Sequence, residues 1–329
     1  MKTIAFFNHK SGASRTSLVY HLAAMLADHG AKVVAADLDP QADLTFMFLD
    51  EDRLEALWPA GEHHQTVLGA VKANLKNASE TVAVHVEETA DNLGIVVGDL
   101  GLAVFEADFA AAWSRCLDGD ASAGRLTSVF HRVLQIAGRS READVMLIDL
   151  GPNLSALNRA AMIAADLVIV PILPTIFAVQ ALQDLGSAWQ RWREEWQARL
   201  QKHPEASLNL PHGDMQPLGY VIQQPPLRLD RPVRPYHYWM TPIPAVYREA
   251  VLQQNVENAP PVASDPHCLA VLKQIPSLMH MATEARKPMF FLKPADGALG
   301  AHAKAVVDCY RDFKALAEKI AARCGVAFR

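Results

Sequence analysis

Apolar residues follow two rhythms along this chain. Short unbroken runs at Thr3–Phe7, Lys32–Leu38, Asn92–Gly98, Asp144–Leu150, Asp166–Leu173, Leu218–Gln223 and Cys268–Ile275 predict strands buried on both faces. Between them, spacings of three and four predict helices over Thr16–Asp28, Phe105–Leu117, Leu126–Ala137, Leu154–Ala165, Thr175–Gln201, Ile243–Gln253 and Ser277–Ala285. Strands alternating with helices make an α/β fold. In the 175–201 helix, Leu182, Leu185, Trp189, Trp192 and Trp196 form one stripe, expected in the core, with room left for a partner or dimer surface. A closing helix over Ala295–Cys324, with Gly297 or Gly300 as candidate breaks, carries Val306, Tyr310, Phe313, Leu316 and Ile320. Its polar side bears Asp308, Asp312 and Glu318, which favours docking on the sheet over a membrane surface. From Leu54 to Ala90 the pattern loosens. There His63 and His64 are neighbours that point apart and are expected to be surface imidazoles rather than metal ligands.

With 329 residues, half of them apolar, the chain can build one large α/β domain or two smaller ones. No apolar run reaches the length of a membrane span and the first strand follows Met1 without a leader, so a cytoplasmic location is expected. Cys116, Cys268, Cys309 and Cys324 are scattered without C-x-x-C, which argues against a disulfide framework, a zinc site or a thiol redox pair; buried small hydrophobes are expected. A net charge of −5 excludes a uniformly basic nucleic-acid coat but not local basic patches.

Three stretches carry candidate chemistry. FFNHKSGASRTS, from Phe6 to Ser17, joins a strand to a helix as a phosphate-binding loop does, with backbone N–H groups and a helix N-terminus facing an anion. His9 and Ser14 stand where that motif has glycines, and Arg15 where it has lysine. Asp37, Asp39 and Asp43 lie in DLDPQADLT after the second strand, placed for a metal-bound phosphate and its attacking water, although Asp-x-Asp-Pro also suits an ordinary turn. The strand DVMLIDL delivers Asp149 to its tip ahead of Gly151, like the second half of a P-loop site. Separately, Arg228, Arg231 and Arg234 recur every third residue among prolines, ahead of Tyr236, Tyr238 and Trp239. They suit DNA phosphates or an acidic partner, and an ordinary solvated loop equally well.

Taken in order, NHKSGASRTS, DLDPQADLT, VMLIDLGPN, AADLVIVPILPT, LGYVIQ and ARKPMFFLKP resemble the ParA/MinD family of deviant Walker ATPases, within it the ParA branch, over nearly the whole chain. The resemblance implies a single P-loop ATPase-like domain over 1–329, built on a doubly wound, mostly parallel sheet flanked by helices. A less regular insertion falls around 52–92 and a C-terminal helix around 295–324. It implies ATP and Mg²⁺ as ligands. Lys10 matches the signature lysine that reaches the partner's nucleotide, and Asp39 the acid that orients water. Ser11, Gly12, Ala13, Ser14, Arg15, Thr16 and Ser17 form the nucleotide loop, with Arg15 at the Walker lysine position. Thr16, Asp37 and Asp149 match the metal region, held directly or through water, with Asp43 flanking it. Gly151 matches the γ-phosphate sensor, and Gln223 the position used against adenine.

Departures from the pattern shape the expectation. Arginine keeps the charge but carries a bulkier planar fork, while Ser11 and Ser14 add side chains where backbone should touch phosphate, so hydrolysis is expected to suffer more than binding. Iron-protein and arsenite-type relatives are disfavoured because no cysteine lies near Asp149. The resemblance implies a homodimeric ATP-dependent switch engaging a partner protein, and it leaves nonspecific DNA open as a second partner. The alternative is a pseudo-ATPase interaction module in a larger assembly. Membrane attachment through the last helix ranks below both.

Overall fold

The computed structural model describes residues 1–10, 12, 14–76, 82–203, 208–224 and 234–329. Eight strands, β1 (Lys2–Phe6), β2 (Val33–Asp37), β3 (Glu87–Ala90), β4 (Leu93–Val96), β5 (Val145–Asp149), β6 (Leu167–Ile172), β7 (Gln216–Gln224) and β8 (Cys268–Lys273), form one sheet. Its order is β3-β4-β2-β5-β1-β6-β7-β8, and only β3 runs antiparallel to its neighbour. The central strands read as unbroken apolar runs because helices cover both faces. Successive residues alternate between two cores: Ala5, Val34, Ala36, Met146 and Ile148 face one side, and Ile4, Phe6, Val33, Ala35, Val145 and Leu147 the other.

The helices are α1 (Arg15–Asp28), α2 (Asp43–Phe48), α3 (Glu51–Leu57), α4 (Val67–Lys76), α5 (Glu106–Leu117), α6 (Ala121–Thr127), α7 (Val129–Ser140), α8 (Ala156–Met162), α9 (Ala178–Leu200), α10 (Arg234–Met240), α11 (Ile243–Val246), α12 (Pro276–Ala285) and α13 (Ala301–Cys324). Buried residues of α4, α5, α7, α8 and α9 fill the first core, while those of α1, α12 and α13 fill the second. Phe6 and Asp37 both lie in register with Asp149. The loops after β1, β2 and β5 therefore leave the sheet at one edge, where open α/β sheets bind ligands.

Several expectations need correction. The less regular stretch around 52–92 holds the helices α3 and α4 and, in addition, an edge strand, β3, that the sequence pattern did not mark. The alternating burial of Glu87–Ala90 on a short charged edge strand is too brief to stand out from a polar break. Leu126–Ala137 divides into α6 and α7 at Ser128, whose ψ of 7° leaves the helix. Ile243–Gln253 becomes α11 followed by a π-helical turn over Tyr247–Val251. The tryptophan stripe has no room for a partner: Trp189, Trp192 and Trp196 are at most 3% exposed. Trp189 donates to Met215 O (3.1 Å) and Trp196 to Pro211 O (2.9 Å), which satisfies their buried N–H groups. His64 is a surface imidazole, but His63 is half-buried with Nδ1 2.7 Å from Asp99 Oδ2, so the paired-surface reading holds for one of the two. The closing helix begins at Ala301, beyond both candidate glycines, and buries Phe313, Leu316 and Ile320 against the second core as expected. All four cysteines are buried and free.

Candidate nucleotide and metal site

The loop after β1 is shaped by Asn8. Its buried amide donates to Pro171 O (2.7 Å) at the end of β6, and its Oδ1 accepts from Lys10 N–H (3.0 Å), turning the chain towards α1. Ser14, the N-cap of α1, adopts φ 48° and ψ 41° and makes no side-chain cap. A side chain in that left-handed well costs about 1–2 kcal/mol, which is why glycine is expected there. Gln274 Nε2 donates to Ser14 Oγ (3.0 Å) and offsets part of that cost. Gly12 sits at φ 85°. Ser11 and Ala13 lie outside the described residues.

Arg15 does not extend into the loop. Its guanidinium is buried, with Nε donating to Leu150 O (3.0 Å) and NH1 to Asn8 O (2.9 Å). Burial lowers its basicity, and Asp149 and then Asp39 oppose that fall. The fork thus bridges the chain ends of β1 and β5, using the two-pronged geometry that an ammonium lacks.

Three buried carboxylates lie at the same edge of the sheet. Asp149 is fully buried, and one oxygen accepts from Thr16 Oγ1 at 2.6 Å. Among the described residues its Oδ1 has no hydrogen-bond partner. Burial pushes the Asp149 carboxyl up to about 7, against the pull of Thr16 and Arg15. Asp37 is held by Thr45, whose N–H and Oγ1 both lie 2.8 Å from its Oδ2, and by the Asp39 N–H at 3.3 Å. Gly98 packs so closely that a Cβ there would meet Asp37 Oδ2 at 2.7 Å. Burial first, then Asp149, holds the Asp37 carboxyl well above the usual range. Asp39 accepts from Gln41 N–H (3.0 Å), and burial raises its carboxyl too. A Cβ at Gly151 would lie 3.3 Å from Asp39 Oδ1, so those two residues are neighbours. Asp43 opens α2 in an exposed position.

This donor set fits Mg²⁺. Carboxylates outnumber the guanidinium, one buried carboxylate oxygen has no partner among the described residues, and a hydroxyl sits beside that carboxylate at the N-terminus of α1; hard oxygen ligands of this kind suit that ion. The helix terminus, with no acidic residue in its first turn, suits phosphate.

The remaining sequence candidates spread outward. Lys10 is exposed, its ammonium 5.2 Å from the centre of the Phe177 ring. Ser17 turns towards His21 and Met279 rather than into the loop. Gln223 is buried near the end of β7, two strands away from β1. Arg228 and Arg231 lie outside the described residues, and Arg234 is the first residue of α10. Sequence reasoning missed Asn8, Thr45, Gln274 and Asn158. Thr45 lies inside the acid-rich motif and Asn8 opens the loop, so both were adjacent to the signal, whereas Gln274 meets Ser14 across 260 residues and left none.

A family model described as AAA domain matches residues 1–202. Among curated relatives, a putative replication protein A of Rhizobium rhizogenes is 28% identical over 55% of this chain and 42% of its own length. A ParA family protein of Chlamydia pneumoniae is 29% identical over 56% of this chain and 64% of its own, and protein IncC of Escherichia coli 29% over 61% and 49%. The chain thus spans about half the length of the curated relatives it matches. Among solved structures, an ATP complex of a McdA variant from Cyanothece superposes with TM-score 0.63 at 18% identity, covering 99% of this chain and 97% of its own. MinD from Pyrococcus horikoshii with Mg-ADP gives 0.57 at 16% identity, covering 98% and 97%. The family model takes in every loop that meets at Asp149 from β1, β2 and β5, and the chain belongs to that family, with the P-loop fold of the ParA/MinD type.

Proposed function

We propose that this chain is a ParA-like switch that binds ATP with Mg²⁺ at the loop before α1, dimerises around it and engages a partner protein. The observation that carries this is Thr16 Oγ1 at 2.6 Å from Asp149, whose other oxygen has no partner among the described residues. Thr16 and Asp149 would hold the metal, with Asp37 acting through water because Thr45 already occupies its carboxylate. The ion, when bound, neutralises phosphate charge. The α1 N-terminus and the described loop positions Gly12 and Ser14 bind the phosphates, with Ser11 and Ala13 assigned there by resemblance. Asp39 orients the attacking water beside Gly151, whose N–H reads the γ-phosphate. Lys10 leaves Phe177 to act across the dimer, and Gln223 lies on the adenine side. Arg228, Arg231 and Arg234 form the candidate surface for DNA or an acidic partner, in a protein assigned to the cytoplasm. The McdA variant has been solved with ATP and MinD with Mg-ADP, which supports the ligand assignment.

A second reading rests on Arg15. Its guanidinium is committed to two main-chain carbonyls, so a pseudo-ATPase would result if ligand does not draw it away. Phosphate release with Mg-ATP separates the two. Slow turnover abolished in Asp39→Ala supports the switch, and no turnover together with retained binding supports the pseudo-ATPase.

A further inference from the structure

The loop from Gly151 to Asn153 is held by one side chain. Asn158, in α8 and 1% exposed, shares the two N–H donors of Nδ2 among three acceptors, Gly151 O (2.9 Å), Asn153 O (2.8 Å) and Asn153 Oδ1 (2.7 Å). Its Oδ1 accepts from Gly151 N–H at 3.3 Å. Three acceptors around one amide atom and a donor facing the other fix the orientation of the amide. The helix is itself anchored. Ser155 Oγ accepts from Asn158 N–H (3.1 Å), and the Glu106 carboxylate at the start of α5 accepts from the N–H groups of Ala156 (2.6 Å) and Leu157 (2.9 Å).

These bonds are unequal. The carbonyl side of the loop is gripped at 2.7–2.9 Å, whereas the Gly151 N–H is held only at 3.3 Å. An N–H held that loosely passes readily to a charged oxygen, since charge-assisted hydrogen bonds are roughly twice as strong as neutral ones. The Leu150–Gly151 peptide that carries this N–H keeps its carbonyl on Arg15 Nε, while Nδ2 holds the carbonyls of Gly151 and Asn153, and the loop stays against Asp39.

We propose that Asn158 is a positioning residue that presents the Gly151 N–H to the terminal phosphate and so sets how strongly the chain prefers ATP to ADP. This rests on the ATP site proposed above. Without the Asn158 amide, the loop must be ordered when ATP binds. ADP, which lacks the third phosphate, does not incur that cost.

Calorimetric titration of Asn158→Ala and Asn158→Asp tests this. Mg-ATP affinity is expected to fall about tenfold while Mg-ADP affinity stays within about twofold. Equal losses for both nucleotides, or an unchanged ATP-to-ADP ratio, would overturn the proposal. Hydrogen exchange in the free protein supplies a readout that needs no nucleotide. The Gly151 amide should exchange at least about tenfold faster in Asn158→Ala, with β1 and β5 unchanged; unchanged exchange at Gly151 also overturns it. If the unsubstituted chain binds neither nucleotide, the ATP reading fails and the nucleotide preference with it. The exchange result then still decides whether Asn158 holds the loop.

Discussion

His21 should make stability depend on pH in a way one substitution can remove. It lies on α1 one turn beyond the loop and is fully buried. Its Nε2 accepts from Met289 N–H at 3.0 Å, which fixes Nδ1 as the protonated nitrogen, donating to Ser17 O at 2.7 Å. A second proton would point at the Met289 N–H and be buried among Phe290, Phe313 and Tyr20. Burial pushes the pKa down to about 4 from its ordinary 6.5, against the bond to Ser17. Since the folded value is the lower one, the unfolded chain takes up protons first as pH falls. His21's contribution is therefore complete above about 6.5, declines from there towards 4 and loses nothing further below. At about 1.4 kcal/mol per pH unit, the whole window is worth roughly 3 kcal/mol, of which about 1.4 is lost by pH ~5.5. Asp149 slopes the other way: its folded carboxyl, near 7, lies above the usual value of 3.8, so its contribution declines as pH rises between them. The raw profile sums both effects, and the comparison with His21→Gln isolates the imidazole. Urea unfolding near pH 7.5 and near pH 5.5 should show the parent chain losing about 1.4 kcal/mol more than the variant. Parallel profiles would refute the assignment of a buried neutral imidazole.

Arg15→Lys gives up part of the bridge to Leu150 O and Asn8 O, costing about 1–2 kcal/mol in the free protein by urea unfolding. The freed cation should raise Mg-ATP affinity at least about tenfold by calorimetry; unchanged affinity would mean the guanidinium is no handicap. Trp196→Ala empties a fully buried site and should cost about 3–5 kcal/mol, with no change in sedimentation behaviour because no partner meets that face. Replacing Arg228, Arg231 and Arg234 with glutamine should weaken DNA binding and flatten its salt dependence; binding that survives unchanged would move the DNA surface elsewhere.

The sheet was legible because strands covered on both faces must be apolar throughout, and Val33–Asp37 and Val145–Asp149 are buried end to end. The acids at their tips were legible for the same reason, since a carboxylate closing such a run has to be explained. What the sequence concealed depends on direction and distance. Nothing local tells that the guanidinium of Arg15 folds back onto carbonyls, that Thr45 occupies Asp37, or that Asn158 reaches back seven residues to Gly151. The tryptophans were ambiguous because a stripe on a helix looks alike whether a core or a partner covers it. Here the sheet and the segments ending at Pro211 and Met215 do. Strand β3 was missed because an edge strand with charged residues lacks the apolar run that marks its neighbours.

Whether Thr16 and Asp149 hold a metal-bound nucleotide is decided by thermal unfolding with ATP, with and without Mg²⁺. A ligand of the native state must raise the unfolding temperature, with about 2.7 kcal/mol of stabilisation at a hundredfold excess over Kd. A rise is expected with Mg-ATP that shrinks when Mg²⁺ is withheld and disappears in Thr16→Val. An unchanged unfolding temperature, or a rise indifferent to both Mg²⁺ and Thr16, would contradict it.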